Sequence, residues 1–184
     1  SYVSTIPDLP KQQLSEYIEY NGVKCLDPRK CDRVEMINGL VRVVSTEGPI
    51  VVRRAFEVYL NSCGIKKLGK LLNNILSQSL QVAIREGLLL QTNDDGTGEF
   101  LASVIRVPGM DTVKLRKRGP RAFEDIPLSE IQLLGRAISK TQYLEYGSQE
   151  HMRAILSILE LKRLTVGVEE HLQNALTMNV PLDG

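Results

Sequence analysis

Apolar positions recur along the chain every three or four residues, which is the spacing of one buried helix face. Two sets of three helices are predicted in this way, over residues 34–45, 50–62, 66–86, 128–139, 147–159 and 162–178. Gly48-Pro49 is expected to end the first helix, because Gly suits a left-handed cap and Pro cannot continue a helix. The pattern therefore predicts a mainly helical fold.

After Gly87 the spacing changes to two short apolar runs, at residues 88–92 and 100–104, with a polar and Gly-rich turn between them. Such runs are typical of a β-hairpin. Three helices followed by a hairpin is the element order of a winged helix-turn-helix domain, whose third helix is the usual recognition helix. The predicted fold class is mainly α with a small β-hairpin.

The two sets of helices are related by an internal repeat. Ile65-Lys66-Lys67-Leu68 matches Leu161-Lys162-Arg163-Leu164, 96 residues later, and the same shift pairs Leu76 with Leu172. A shift of 94 residues aligns the first helices, so the second copy carries two extra residues in a turn, where insertions cost little. We expect tandem helix-turn-helix repeats.

This repeat divides the chain into four predicted segments. They are an N-terminal segment docked on the body (1–31), a first winged-helix-like repeat (32–108), a basic linker (109–126) and a second repeat that is wingless or truncated (127–184). The chain starts at Ser1 with neither an initiator Met nor a signal-peptide pattern. We therefore expect it to be a fragment of a longer protein.

Composition narrows the class of protein but not its activity. The chain has 184 residues, 42% hydrophobic and 24% charged, and no apolar run near the roughly 20 residues of a membrane span. A cytoplasmic protein without a membrane partner is expected. Because 23 basic residues nearly balance 22 acidic ones, affinity for nucleic acid must come from local patches.

Two such basic patches are candidate nucleic-acid contacts. The first lies at the start of the predicted third helix and comprises Lys66, Lys67, Lys70, Asn74 and Gln78. The second lies in the predicted linker, where no acidic residue occurs between Asp111 and Glu124, and comprises Lys114, Arg116, Lys117, Arg118 and Arg121. Because Gly119-Pro120 opposes a helix, we expect this segment to be an exposed, flexible strap on phosphates. The alternatives are an ordinary solvated helix face and a tether that pairs with acids of its own chain.

The chain carries no motif of a motor or hydrolase, such as a Walker loop or a nucleophile elbow. Asp94-Asp95 beside Gly96-Thr97-Gly98 is better explained by turn chemistry than by a metal or phosphate site. His151 and His171 fall on apolar helix positions and are expected to be structural. The three cysteines have no zinc-site spacing and are expected to be free thiols. We therefore predict a non-catalytic chain without metal, cofactor or small-molecule substrate.

Several short segments together carry a resemblance to a known family. They are Val44-Ser45-Thr46-Glu47-Gly48-Pro49-Ile50, Cys63-Gly64-Ile65-Lys66-Lys67-Leu68-Gly69, Ala83-Ile84-Arg85-Glu86-Gly87, Leu115-Arg116-Lys117-Arg118 and Glu124-Asp125-Ile126-Pro127-Leu128-Ser129-Glu130-Ile131. From about Asp32 onward the chain resembles the uncharacterised C-terminal domain of large bacterial superfamily I helicase-like proteins. Those proteins often carry a restriction-endonuclease-like domain just before it. The second copy departs from the pattern, since Thr165-Val166-Gly167 replaces the region of Gly69-Lys70-Leu71 and no wing follows.

The resemblance implies an accessory module of an ATP-dependent helicase. Such a module would present duplex or junction DNA to the helicase and nuclease domains of its parent protein. The alternative function is protein docking, since winged helices also serve as docking surfaces. The low aromatic content, 5% of residues, offers no platform for base stacking.

Overall fold

The computed structural model of the chain describes residues 14–178. Their contacts define two compact units, which we call the first unit (Ile18–Thr112) and the second unit (Ser1–Tyr17 with Val113–Gly184). The described residues are mainly helical with a small antiparallel sheet, which confirms the predicted fold class at this level. The part of the predicted N-terminal segment over residues 1–13 lies outside the described residues.

The first unit alternates helices with short strands. Its elements are α1 (Arg33–Glu47), β1 (Ile50–Val51), α2 (Val52–Ser62), α3 (Lys70–Arg85), β2 (Leu90–Thr92) and β3 (Val104–Arg106). α1 begins where the side chain of Asp32 accepts a hydrogen bond from the backbone N–H of Glu35 at 2.9 Å. It ends before Gly48, whose φ of −69° shows that the predicted left-handed cap is wrong. A Cβ there would instead lie 2.5 Å from the Val44 carbonyl oxygen.

The sheet of the first unit has the strand order β1-β3-β2, with both pairs antiparallel. Ile50 lies opposite Ile105, and Leu90 lies opposite Arg106. The hydrophobic spacing predicted Ile50 as the start of a helix, which is wrong. Ile50 and Val51 are β-branched and buried, so they fit a strand paired to β3 better than the first turn of a helix.

The three helices of the first unit pack their apolar stripes into one core. Fully or almost fully buried side chains come from α1, α2 and α3, including Leu40, Val44, Phe56, Leu60, Leu76 and Leu80. α3 begins at Lys70 and not at Lys66 as predicted, because Gly69 is extended and serves as the N-cap residue. Lys66 and Lys67 therefore lie in the turn that precedes the helix.

Among its described residues, 14–17 and 113–178, the second unit contains three α-helices, α4 (Leu128–Gln142), α5 (Gln149–Ile158) and α6 (Val166–Thr177). Side-chain caps from Ser148 and Thr165 begin α5 and α6. Ile131, Ile155 and Leu172 are fully buried at the centre of its core. The unit thus has the same order of three helices as the first.

Burial agrees with the 96-residue shift found in the sequence. Leu76 and Leu172 are both fully buried, and Leu68 and Leu164 both pack half-buried against the core of their own unit. Among residues 14–17 and 113–178, extended pairing is limited to one isolated parallel bridge between Ser15 and Arg116. The second unit has no counterpart of the β2–β3 hairpin within the described residues.

The boundaries of the units differ from the predicted segments. Residues 18–31, predicted as part of an N-terminal segment, belong to the first unit, where Cys25 is buried and the Tyr20 backbone N–H donates to the Glu47 carboxylate at 2.9 Å. Residues 113–126, predicted as linker, belong to the second unit. Within residues 18–31, not every apolar side chain packs on the first unit, since Ile18 is 68% exposed.

Candidate nucleic-acid interface

The solvent-facing side of α3 is mainly polar, although Leu71 is also exposed there. Lys70, Asn74 and Gln78 follow one another at four-residue spacing and are all exposed, so they form a row on one face of the helix. The opposite face carries Leu72, Leu76 and other buried residues of the core. The helix is thus fixed from beneath and presents ammonium and amide groups outward.

Lys66 and Lys67 extend this row at the N-terminal end of α3. Both side chains are exposed, and none of the three ammonium groups of Lys66, Lys67 and Lys70 takes part in an ion pair within the described residues. No acidic residue occurs between Glu57 and Glu86, so no carboxylate of α3 or of the turn before it neutralises them. We call these five residues, Lys66, Lys67, Lys70, Asn74 and Gln78, the α3 face.

The second predicted patch is not the exposed strap expected from the sequence. Arg116 and Arg121 are buried, and both contact the carboxylate of Glu130 in the first turn of α4. The Arg116 Nε lies 3.1 Å from one carboxylate oxygen, and an Arg121 terminal nitrogen lies 2.5 Å from the other. Their side chains are 7% and 1% exposed, and that of Glu130 is 4% exposed.

Arg118 and Lys117 also contact groups of their own unit. Arg118 donates from Nε to the Leu159 carbonyl at 2.7 Å and from a terminal nitrogen to the Arg121 carbonyl at 3.0 Å. Lys117 is exposed but forms an ion pair with Glu16. Lys114 is half-buried. The prediction of a flexible strap is wrong because the segment folds onto α4, and its three arginines bond to acceptors of their own unit.

Residues 14–17 hold this basic segment in place. The Ser15 backbone N–H donates to the Leu115 carbonyl at 3.2 Å, and the Ser15 carbonyl accepts from the Lys117 N–H at 2.9 Å. The Tyr17 ring lies under both buried guanidinium groups, 5.1 Å from Arg116 and 4.5 Å from Arg121. Such cation–π stacking adds to the stability of partly desolvated arginines.

Glu130 and Tyr17 were not predicted as the partners of these arginines. A signal for Glu130 was available, because it lies four residues before the buried Leu134 and one before the buried Ile131. A carboxylate on a core-facing stripe needs a buried cationic partner. For Tyr17 no comparable signal exists, since its contacts are about a hundred residues away in the chain.

The loop between β2 and β3 is acidic. Asp94, Asp95 and Glu99 all lie in it, and the Asp95 carboxylate accepts from the backbone N–H of Thr97 at 3.0 Å and from its hydroxyl at 2.9 Å. This local bonding confirms that turn chemistry accounts for Asp95. An acidic loop is not suited to contact phosphates.

The histidines and cysteines serve the packing of their units. His151 is fully buried; its Nδ1 accepts from the Gly147 N–H at 2.9 Å, so Nε2 carries the hydrogen and donates to the Gly135 carbonyl at 2.6 Å. His171 packs its ring edge-on against Phe123.

The three cysteines are free thiols, and burial raises the pKa of Cys31 and of Cys63. Residues 14–178 contain no group of three or more His, Cys, Asp or Glu side chains placed to hold a metal ion.

Comparison with protein-family models, curated proteins and solved structures gives no match for this chain. The resemblance to helicase-associated domains therefore stays a prediction from the residues quoted for it. In the described part of the chain, the helices are all too short or too polar to cross a bilayer.

Proposed function

We propose that the first unit is a winged helix-turn-helix module that binds duplex nucleic acid through the α3 face. The observation that carries the proposal is the α3 face itself, five exposed polar or cationic side chains with no carboxylate on α3 or in the turn before it. Ammonium groups supply phosphate contacts, and amide side chains can bond to phosphates or base edges.

The order of elements supports the same proposal. The first unit runs α1-β1-α2-α3-β2-β3 with the strand order β1-β3-β2, an arrangement that leaves the third helix with one face in the core and one in solvent. In helix-turn-helix proteins such a helix enters the major groove. The acidic β2–β3 loop makes α3, and not the hairpin, the element that contacts the duplex in this proposal.

The second unit is, in this proposal, a wingless copy of the same module that has lost the nucleic-acid surface. The shared order of helices and the matched burial of Leu76 with Leu172 support a duplication. The whole chain is then a non-catalytic accessory part of a helicase-like parent, presenting duplex or junction DNA to the helicase and nuclease domains.

Duplex binding measured at 50 and 200 mM salt tests the proposal. Three phosphate contacts give a slope of log K against log salt of about −2.7, which weakens binding about fortyfold over this range. Replacing Lys66, Lys67 and Lys70 with Ser should remove most of that slope. The control variant replaces Lys24, Lys30 and Arg33, exposed cations of the same unit, and changes the net charge equally.

The control variant should keep the slope of the parent chain. If the two triple variants bound equally well, the α3 face would not be the binding surface. If the parent chain showed no salt-dependent binding to DNA or RNA duplexes, the nucleic-acid proposal would fail.

Protein docking is the second candidate function. It is favoured by the contacts of the basic segment, because Arg116, Arg118 and Arg121 bond to groups of their own unit. This bonding removes three of the cations that were predicted to contact phosphates. Failure of duplex binding in the experiment above would leave docking as the proposal to pursue.

A further inference from the structure

A groove of about 480 Å³ lies in the first unit beside the N-terminal end of α3. Its aliphatic lining comes from the end of α2, the turn before α3 and the 3-10 helix of the β2–β3 loop, with Leu60, Ile65, Leu68 and Leu101. Leu60 is buried and the other three are half-buried. The volume is within the usual range of sites for small ligands or single side chains.

The groove combines this aliphatic lining with cations. Arg53, Lys66 and Lys67 line it, against a single acidic residue, Glu57. Lys66 and Lys67 are exposed and lie outside any ion pair of the described residues. An occupant that complements this lining must offer apolar side chains and negative charge together.

We propose that this groove docks an extended acidic peptide segment of a partner protein, with one or two apolar side chains inserted between the helices and carboxylates beside the lysines. A nucleobase is a poorer occupant, because no Tyr, Trp, His or Phe lines the groove and single-stranded nucleic acid is held mainly by stacking on such rings. The site goes beyond nucleic-acid binding, but it shares Lys66 and Lys67 with the α3 face. Peptide and duplex therefore compete for the same two ammonium groups.

A fluorescently labelled peptide that alternates Glu and Leu is the probe for this groove, because in an extended chain its leucines share one face. Two matched peptides are controls, one alternating Lys and Leu and one alternating Glu and Ser. Binding by anisotropy is expected for the Glu/Leu peptide alone. Equal binding of either control peptide, or no binding of the Glu/Leu peptide, would overturn the proposal.

Two variants of the chain assign that binding to the groove. Leu101→Gln is expected to weaken the Glu/Leu peptide about tenfold or more, while duplex binding stays as in the parent, since Leu101 is not part of the α3 face. Lys66→Glu with Lys67→Glu is expected to reverse the preference, so that the Lys/Leu peptide binds and the Glu/Leu peptide does not. This gain of binding guards against a variant that merely fails to fold.

Competition separates this inference from the proposed function. If the parent chain binds both probes, the Glu/Leu peptide should displace the duplex. Peptide binding without duplex binding would refute the proposed nucleic-acid function, but it would support peptide docking in the groove. Unchanged peptide affinity in Leu101→Gln, or a charge-reversed variant that still prefers the Glu/Leu peptide, would refute peptide docking in the groove. Neither result would contradict duplex binding by the α3 face.

Discussion

The third helices of the two units, α3 and α6, have the same buried face but different exposed faces. At the 96-residue shift, Leu76 and Leu80 correspond to Leu172 and Leu176, and all four are buried. The exposed positions have diverged, since Lys70 corresponds to Val166 and Asn74 to Glu170, both exposed. The two units therefore share the core positions that maintain their fold, and they differ in the charge and polarity of the solvent-facing positions.

The turns before these helices are similar, which isolates the effect of the helix faces. Lys66 and Lys67 correspond to Lys162 and Arg163, and all four are exposed. The second unit adds Glu169 and Glu170 in the first turns of α6, where carboxylates stabilise a helix N-terminus but repel phosphate. Only the first unit is therefore expected to attract a duplex.

Each unit also buries one glutamate, and the arginines that bond to it differ in exposure between the two sites. Glu130 holds both Arg116 and Arg121 in the second unit. In the first unit Glu47 is 1% exposed and accepts from Arg54, at 3.0 Å, and from the Tyr20 backbone N–H. We expect the second site to be the more sensitive of the two.

The largest expected effect is that of Glu130→Gln. Removing a charge from a buried ion pair costs about 3 to 5 kcal/mol, because the remaining charge stays desolvated. Here two guanidinium groups lose the carboxylate, so unfolding of the second unit should become easier by at least that amount. Urea titration with hydrogen exchange of the α4 amides measures it, and Glu124→Gln, at an exposed residue of the same unit, is the control. A loss of unfolding free energy below about 1 kcal/mol would show that the ion pairs of Glu130 with Arg116 and Arg121 are solvated and not buried.

Glu47→Gln should destabilise the first unit by less, about 2 to 3 kcal/mol. The Arg54 side chain is 13% exposed, more than those of Arg116 and Arg121 at 7% and 1%, and the Gln oxygen can still accept from the Tyr20 N–H. Hydrogen exchange of α1 and α2 measures the change, with Glu19→Gln as the exposed control. A loss as large as that of Glu130→Gln would remove the predicted difference between the two sites.

Gly119→Ala tests the packing of Tyr17 on the basic segment. Gly119 has φ +59°, and a Cβ there would lie 2.7 Å from the Tyr17 Cβ. The control variant is Gly109→Ala, because Gly109 also has a positive φ, +84°, but no atom lies within 4 Å of a Cβ built there. Both variants bear the left-handed backbone cost of about 1 kcal/mol. Gly119→Ala should lose about 1 kcal/mol more of unfolding free energy because of the clash. Equal losses in thermal or urea unfolding would mean that Tyr17 does not pack there.

A graft of two residues sharpens the comparison of α3 with α6. Val166→Lys with Glu170→Asn gives α6 the residues of α3 at these positions, and both sites are exposed, so the fold should tolerate the change. One added phosphate contact should steepen the salt slope of duplex binding by about 0.9. The reverse change in α3, Lys70→Val with Asn74→Glu, should flatten it by at least as much. If both variants kept the slope of the parent chain, the helix faces would not set the difference between the units.

Much of the fold could be predicted because core positions recur with helical spacing. That spacing located six helices, and the shift of 96 residues matched buried with buried positions, but α3 and α6 begin four residues later than predicted. The second run of the predicted hairpin, residues 100–104, is wrong in its first part, because Phe100–Ala102 is a 3-10 helix and β3 is Val104–Arg106. It misplaced β1, because Ile50 and Val51 satisfy both a buried helix and a buried strand, and only pairing with β3, more than 50 residues later, decides between them.

The candidate site was predicted in part. The α3 face follows from an amphipathic helix whose core side is unambiguous, so Lys70, Asn74 and Gln78 had to be exposed. The basic segment failed because local composition does not reveal a partner: Arg116 and Arg121 are placed by Glu130 and Tyr17, and the latter lies about a hundred residues earlier. A run of cations indicates a surface only when no buried carboxylate is available to it.

The salt dependence of duplex binding for two paired variants, Lys66→Ser with Lys67→Ser and Lys162→Ser with Arg163→Ser, tests most directly which unit binds nucleic acid. The first pair is expected to flatten the slope of log K against log salt by about 1.8 and to weaken binding at low salt, while the second pair leaves both unchanged. Equal effects of the two pairs, or a larger effect of the second, would contradict the assignment of nucleic-acid binding to the first unit.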